Sequence, residues 1–340
     1  MRWSCADLEN PRLLNLEGPT VGPVVLRSPF ILAPMAGLTN WPFRRLALSY
    51  GAGLTVTEMV SSVALSYRGP KTLGLLKTDP RVEKPFCVQL FGKDPDRLAL
   101  GARIALEYGA DIIDLNLACP ARKVVNSGHG AAVLKDFDLA VKLVEAAVGA
   151  VPIPVTVKTR PAWAPGWPDI LALAPRLAQA GAAAITLHGR YGTQGFTGEA
   201  DWSWVSRLAS AVSIPVFGSG DITEARDAVK LLEKSGAAGV YIGRAARGRP
   251  WIFRECLNLW SGLDIPIITP AERLEAAVRH ARWLYEEMGP KAAFPLRTVL
   301  MWYTRQLPGA AQVRAAICRE EQVERQLQIL TEAFLKAPEA

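Results

Sequence analysis

The chain has 340 residues, half of them hydrophobic and 21% charged, which excludes global disorder and leaves room for one large α/β domain with a small appendage. Thirty-nine Lys and Arg against 32 Asp and Glu give a formal charge of +7, a balance that permits a polyanionic partner without demanding one. Five cysteines (Cys5, Cys87, Cys119, Cys256, Cys318) form no CxxC pair, no run of 18 apolar residues occurs, and the start of the chain (MRWSCADLEN) carries acidic residues where a signal peptide needs an apolar core. The expectation is a soluble cytoplasmic protein with no disulfide framework, no metal site and no membrane span.

In chain order, short apolar or β-branched runs recur as FILAPM (30–35), LTVTEM (54–59), FCVQLF (86–91), DIIDLN (111–116), PVTVKT (154–159), AAITLH (183–188), IPVFGS (214–219) and GVYIGR (239–244). Their starts lie 24 to 43 residues apart, the spacing of βα units. The intervening stretches are long enough for helices, and those at 99–110 and 227–239 close on glycine. Eight such units predict a (β/α)8 TIM barrel over residues 1–265; an open doubly wound sheet is the alternative.

Residues 266–340 predict a small all-helical domain reached through SGLDIPII. Its first helix, ITPAERLEAAVRHARWLYEEMG (268–289), opens on Thr269 as N-cap, Pro270, and Glu272 three residues after the cap, a capping box. Leu274, Val278, Ala281, Tyr285 and Met288 form its predicted apolar stripe, and segments 294–306 and 311–335 predict two further helices.

A TIM barrel carries its active site at the C-terminal ends of its strands. Those ends here are Met35, Glu58, Gln89, Asn116, Lys158, His188, Ser219 with Asp221, and Gly243 with Arg244. The turns GSGD (218–221) and IGRAARGRP (242–250) follow strands 7 and 8, where barrels commonly seat a phosphate; Gly218, Gly220 and Gly243 allow close backbone approach and Arg244 supplies charge. Cys119 sits in the loop after strand 4, beside Pro120, Arg122 and Lys123, and is the candidate acid or nucleophile. Neither a HExxH nor a GxSxG nor a Walker loop is present, which speaks against metal and serine-hydrolase chemistry.

APMAGLTNWPFRRL (33–46), DLNLACPARKVVNSGHGAAVL (114–134), VTVKTR (155–160), ITLHGR (185–190), GSGDI (218–222) and YIGRAARGRPWIFRE (241–255), with Trp302-Tyr303 near the end, resemble the tRNA-dihydrouridine synthases, most of all their bacterial B-type branch. The resemblance implies FMN in the barrel, NADPH as electron donor and tRNA as substrate, gripped in part by the helical domain. It implies that Cys119 protonates uracil C5 and that Asn116 positions the base. Gln89, Lys158 and His188 would meet the flavin ring, with Pro34, Met35 and Ala36 packed along it. Ser219, Gly220, Asp221, Gly243 and Arg244 would hold the rest of the cofactor, its phosphate above all. Arg122, Lys123, Arg160 and Arg190 would bind substrate. Ser219 stands where members usually have Asn, and Tyr191-Gly192 where Thr-Arg is usual. From residue 266 on, ten Lys and Arg face nine Asp and Glu, so phosphate contacts are expected on the rim, at Arg122, Lys123, Arg190, Arg247 and Arg249. A flavin-dependent oxidoreductase of this fold acting on another substrate, and a non-catalytic RNA- or partner-binding relative, are the alternative readings.

Overall fold

The structure, a computed structural model, describes residues 18–305 and 307–336, so Cys5 and the N-terminal segment lie outside it. Eight parallel strands form the barrel: β1 (Phe30–Leu32), β2 (Leu54–Val56), β3 (Phe86–Phe91), β4 (Ile112–Asn116), β5 (Val155–Thr159), β6 (Ala184–His188), β7 (Val216–Ser219) and β8 (Gly239–Ile242). Each pairs with its neighbour in sequence, and β1 pairs with both β2 and β8, which closes the ring and excludes the open sheet. All eight runs expected as strands are strands. A two-residue strand, Val60–Ser61, extends the sheet beside the upper end of β3.

The helices around the ring are α1 (Trp41–Ser49), α2 (Ser62–Ser66), α3 (Pro95–Glu107), α4 (Phe137–Ala150), α5 (Ile170–Gln179), α6 (Ser203–Ala211), α7 (Ala225–Ser235) and α8 (Ile252–Trp260). Asn40, Asp94, Asp136 and Asp169 cap α1, α3, α4 and α5 with side-chain oxygens on the first free backbone N–H groups. The second unit departs from the expected full helix: α2 has only five residues, since Gly69, Pro70 and Pro80 interrupt the chain between it and β3.

Inside the ring, side chains alternate inward and outward along each strand. The lower inward positions are apolar: Ile31, Leu54, Ile112, Ala184 and Phe217 form one cluster with Val21 and Leu26, which come from the hairpin Thr20–Val25 and its end below the barrel. Two residues further along the same strands stand Gln89, Asp114, Thr186 and Ser219, and above them Asn116, Lys158 and His188. Buried polar groups thus gather at the end where the site lies.

Among the described residues, four α-helices follow the barrel: α9 (Pro270–Met288), α10 (Ala293–Tyr303), α11 (Ala310–Arg319) and α12 (Val323–Leu335). The capping box of Thr269 and Glu272 opens α9 as expected. The predicted apolar stripe holds only in part: Ala281 is buried and Leu274 packs against the core of these helices. Ala276, Ala277, His280, Ala281 and Leu284 are buried, whereas Tyr285 and Met288 are exposed. Small side chains let α9 lie close to α1, and His280 is accommodated because its Nδ1 meets the Tyr303 hydroxyl at 3.1 Å and its ring stacks on Phe43 at 5.3 Å. The predicted single helix over 311–335 is two, α11 and α12. The Glu320 carboxylate accepts the N–H groups of Glu321 and Gln322, and the Glu320 carbonyl accepts from Arg297 and Gln326.

Leu46 and Tyr50, at the end of α1, and Trp251 share one core with these helices. At Gly248 (φ +67°) a Cβ would stand 2.4 Å from the Trp302 carbonyl oxygen, so the loop after β8 presses directly on the end of α10. That contact brings Arg305, just past α10, to the barrel mouth.

Candidate active site

A cavity of about 790 Å³ opens at the C-terminal end of the barrel. Pro34, Met35, Ala36, Gln89, Asn116, Cys119, Lys158, Arg160, His188, Ser219, Gly220, Asp221, Gly243 and Arg244 all reach its wall. Glu58, Arg122, Lys123 and Arg190 do not. The Glu58 carboxylate instead takes the N–H of Gly37 and so clamps the loop after β1.

One wall is a buried hydrogen-bonded row. Thr156 Oγ1 donates to Asp114 Oδ1 at 2.7 Å, and Gln89 Nε2 donates to Asp114 Oδ2 at 2.6 Å. Asn116 Nδ2 donates to Gln89 Oε1 at 2.7 Å. Asn116 Oδ1 accepts the backbone N–H groups of Ala118 (3.1 Å) and Cys119 (2.9 Å). The amide of Asn116, expected to face a substrate base, is therefore committed within the protein. The Cys119 carbonyl accepts from the Ala131 N–H, and Gly130 (φ +59°) passes so close that a Cβ there would lie 2.7 Å from that oxygen. The half-buried Cys119 thus stands on the cavity wall in a loop held at both backbone polar groups.

The opposite chemistry is cationic. Burial pushes the Lys158 ammonium down to about 8, with Arg160 adding to the shift and Asp114 opposing it. Burial also raises Asp114 to about 6, against the hydrogen bonds from Gln89 and Thr156 and the charge of Lys158. His188 is driven down to about 2, by burial first and then by Lys158, Arg160, Arg190 and Arg244, so its ring is neutral. His188 Nδ1 meets Ser219 Oγ at 3.2 Å, so the Ser219 hydroxyl orients the ring. His188 Nε2 is buried with no partner among the described residues. A neutral imidazole edge inside a ring of cations is a seat for an anionic or hydrogen-bonding ligand.

Several expected substrate contacts have structural partners instead. Arg190 is 3% exposed and grips both Asp221 oxygens (2.6 and 2.7 Å) and the carbonyl oxygens of Thr197 and Gly198, because the loop after β6 folds back over β7 and needs those groups satisfied. Arg160 donates to the carbonyls of Ala118, Arg190, Tyr191 and Gly195, tying the Cys119 loop to the loop after β6. Arg122 and Lys123 lie exposed on a short turn of helix outside the cavity. Arg249, expected on the rim, pairs with the buried Glu255 at 2.6 Å.

Four contributors went unnoticed in the sequence. Phe196, 61% exposed, leans over the mouth with Arg160 and Arg244 5.7 and 5.8 Å from its ring. Met59 and Arg305 line the cavity, and Asp114 anchors the row beneath it. Asp114 had a signal: it lies two residues before Asn116 on one strand, hence on the same face.

Among the described residues no group of three or more His, Cys, Asp and Glu could hold a metal ion, and no helix is long and apolar enough to cross a membrane.

A model of the family described as Dihydrouridine synthase (Dus) matches residues 31–339. The chain is 40% identical over 321 residues to tRNA-dihydrouridine synthase B of Pseudomonas syringae pv. tomato, an alignment covering 92% of this chain and 94% of that protein. It is 40% identical over 303 residues to a probable tRNA-dihydrouridine synthase of Rickettsia bellii, covering 87% of this chain and 92% of that one. With probable tRNA-dihydrouridine synthase 1 of Synechocystis it shares 36% identity over 320 residues, covering 93% and 89%.

Proposed function

Because this chain belongs to the dihydrouridine synthase family, we propose that it reduces the C5–C6 double bond of uridine in tRNA, with FMN at the barrel mouth and NADPH as electron source. The observation that carries this reading is a half-buried thiol, Cys119, on the wall of a cavity whose other side is cationic and holds an unpartnered imidazole nitrogen.

The residues fit a flavin mononucleotide. The volume is in the range of ligand pockets. His188 Nε2 and the Lys158 ammonium are polar groups on the cavity wall that would meet its ring, and a cation beside the flavin would favour negative charge there. Gly220 (φ +119°) lies against Ala200, where a Cβ would come within 2.6 Å, and Gly243 brings a bare backbone to the cavity. Arg244, whose side chain is 59% exposed and stands 3.9 Å from Asp221, gives that end a guanidinium for the single phosphate.

FMN, when bound, supplies the hydride for C6 of the uracil ring. Cys119 supplies the proton for C5, and its thiol lies in a loop whose backbone is fixed before substrate arrives. Ser219 holds the His188 ring, and Met35 and Met59 give the cavity apolar walls against which a planar ring excludes water. A uridine must leave its stack to enter. Arg247 and Arg305 converge on the mouth, and they are the phosphate contacts for the RNA strand that carries it.

The test is to purify the protein, extract its cofactor, and map dihydrouridine by mass spectrometry in tRNA before and after incubation with NADPH. FMN in the extract and new dihydrouridine are expected. A flavin that NADPH reduces while tRNA stays unchanged points to another substrate, and a folded protein that binds no flavin refutes the proposal.

A further inference from the structure

We propose that Asp114 is a positioning residue for Cys119, acting as the fixed acceptor that sets the direction of the hydrogen-bonded row running through Gln89 and Asn116 to the backbone of the Cys119 loop. The inference rests on Cys119 being the proton donor for uridine reduction and goes beyond it by assigning work to a side chain that never reaches the cavity.

Donors and acceptors set the direction of this row. A terminal amide has an acceptor end and a donor end of nearly the same shape, so nothing in the packing of Gln89 or Asn116 dictates which end points where. The neighbours dictate it. Asp114 is fully buried on β4, and its two oxygens accept from Thr156 and Gln89. An acceptor at that point forces the Gln89 NH2 group downward, which leaves Gln89 Oε1 facing Asn116. Asn116 must answer with its own NH2 group, and this turns Asn116 Oδ1 toward the two N–H groups of Ala118 and Cys119. Reversing any member sets donor against donor inside the barrel, where an unmade hydrogen bond costs on the order of 1–3 kcal/mol. Asp114, Gln89 and Asn116 are 0%, 1% and 8% exposed, so water does not relieve such a mismatch. A carboxylate at the far end of the row thereby fixes the peptide that carries the thiol.

What matters in this scheme is an oxygen facing Gln89, not the negative charge. Asp114→Asn can still present one, with its NH2 group toward the Thr156 hydroxyl. Asp114→Leu cannot. Both variants are made in the full chain and isolated with their cofactor. Three measurements are made: flavin content with its reduction by NADPH, kcat and KM for dihydrouridine formation in tRNA, and the iodoacetamide alkylation rate of Cys119 read on its own peptide by mass spectrometry.

Asp114→Leu is expected to keep flavin content and flavin reduction within twofold, to keep KM within twofold, to lower kcat about 10- to 100-fold, as small misplacements of reacting groups do, and to speed Cys119 alkylation at least threefold. Asp114→Asn is expected to stay within threefold of wild type in all three. The proposal is overturned by a leucine variant with wild-type kcat and alkylation, by equal losses in both half-reactions, or by an asparagine variant as impaired as leucine. If leucine prevents folding, the asparagine variant decides: retained turnover and alkylation support the proposal, and a tenfold loss refutes it. Should wild-type protein form no dihydrouridine, the functional reading fails while the alkylation rates still test the positioning.

Discussion

In the lower half of the barrel the inward side chains are Ile31, Leu54, Cys87, Ile112, Ala184 and Phe217, closed from below by Val21, and they require nothing but one another. One pleat higher, the same strands turn in Gln89, Asp114, Thr186 and Ser219, and above these Asn116, Lys158 and His188. The backbone alternation is identical in the two halves, and both are buried. What changes is that each upper side chain carries a desolvation cost that only a specific partner offsets, and at Lys158 and His188 that offset is incomplete. The lower half is where the fold gains stability, and the upper half is where stability is given up for chemistry.

This contrast predicts opposite consequences for substitutions a few ångströms apart. The largest effect belongs to the mouth. Cys119→Ala should leave flavin binding and flavin reduction by NADPH intact while dihydrouridine formation drops on the order of 10²–10⁴-fold, the usual loss with a general acid. Wild-type turnover in that variant would remove Cys119 from the reaction. Next comes the floor. Phe217→Ala, at a position 2% exposed, should cost about 3–5 kcal/mol in urea unfolding, with turnover per folded molecule unchanged below the transition. Cys87→Ala, on β3 one pleat below Gln89, should behave in the same way at about 1 kcal/mol. Inactivity of Cys87→Ala at full stability would dissolve the boundary between the halves.

The same contrast explains what was legible in the sequence. The eight strands could be read because each is a short apolar run bounded by glycine, proline or a polar residue, and strand ends of a TIM barrel converge whatever the loops do. Cys119, Lys158, His188 and Arg244 followed from that convergence. Side-chain direction did not. Arg160 and Arg190 sit at strand ends like the others, yet loop carbonyls and Asp221 claim them, and those partners come from loops whose path no local pattern encodes. Phe196 and Arg305 were missed for a related reason: each reaches the mouth from a segment whose placement depends on tertiary packing, the second through the contact of Gly248 with Trp302. The stripe on α9 held at Leu274 and Ala281 but missed at its C-terminal end, because hydrophobic periodicity weighs Tyr285 and Met288 above Ala277 and Ala276, while close packing on α1 favours the small residues.

Lys158 offers the finest test of whether the upper half gives up stability for function. Burial holds its folded pKa near 8, below the ordinary value of 10.5 that it recovers on unfolding. Between those values the unfolded chain binds the proton that the folded chain lacks, so stability contributed by this residue rises with pH across that window and is lowest beneath it. Lys158→Met removes the buried ammonium and keeps the length of the side chain. The variant should be the more stable protein at pH 5.5, by on the order of 1 kcal/mol, and the gain should hold up to about pH 8, be smaller at pH 9 and disappear only near pH 10.5. Urea midpoints at pH 5.5, 7.5 and 9 measure the trend, and flavin content with uridine reduction measures what was lost for it. A methionine variant less stable at pH 5.5, or one whose advantage grows with pH, would mean that Lys158 stabilises the fold and that the mouth of this barrel is no more strained than its floor.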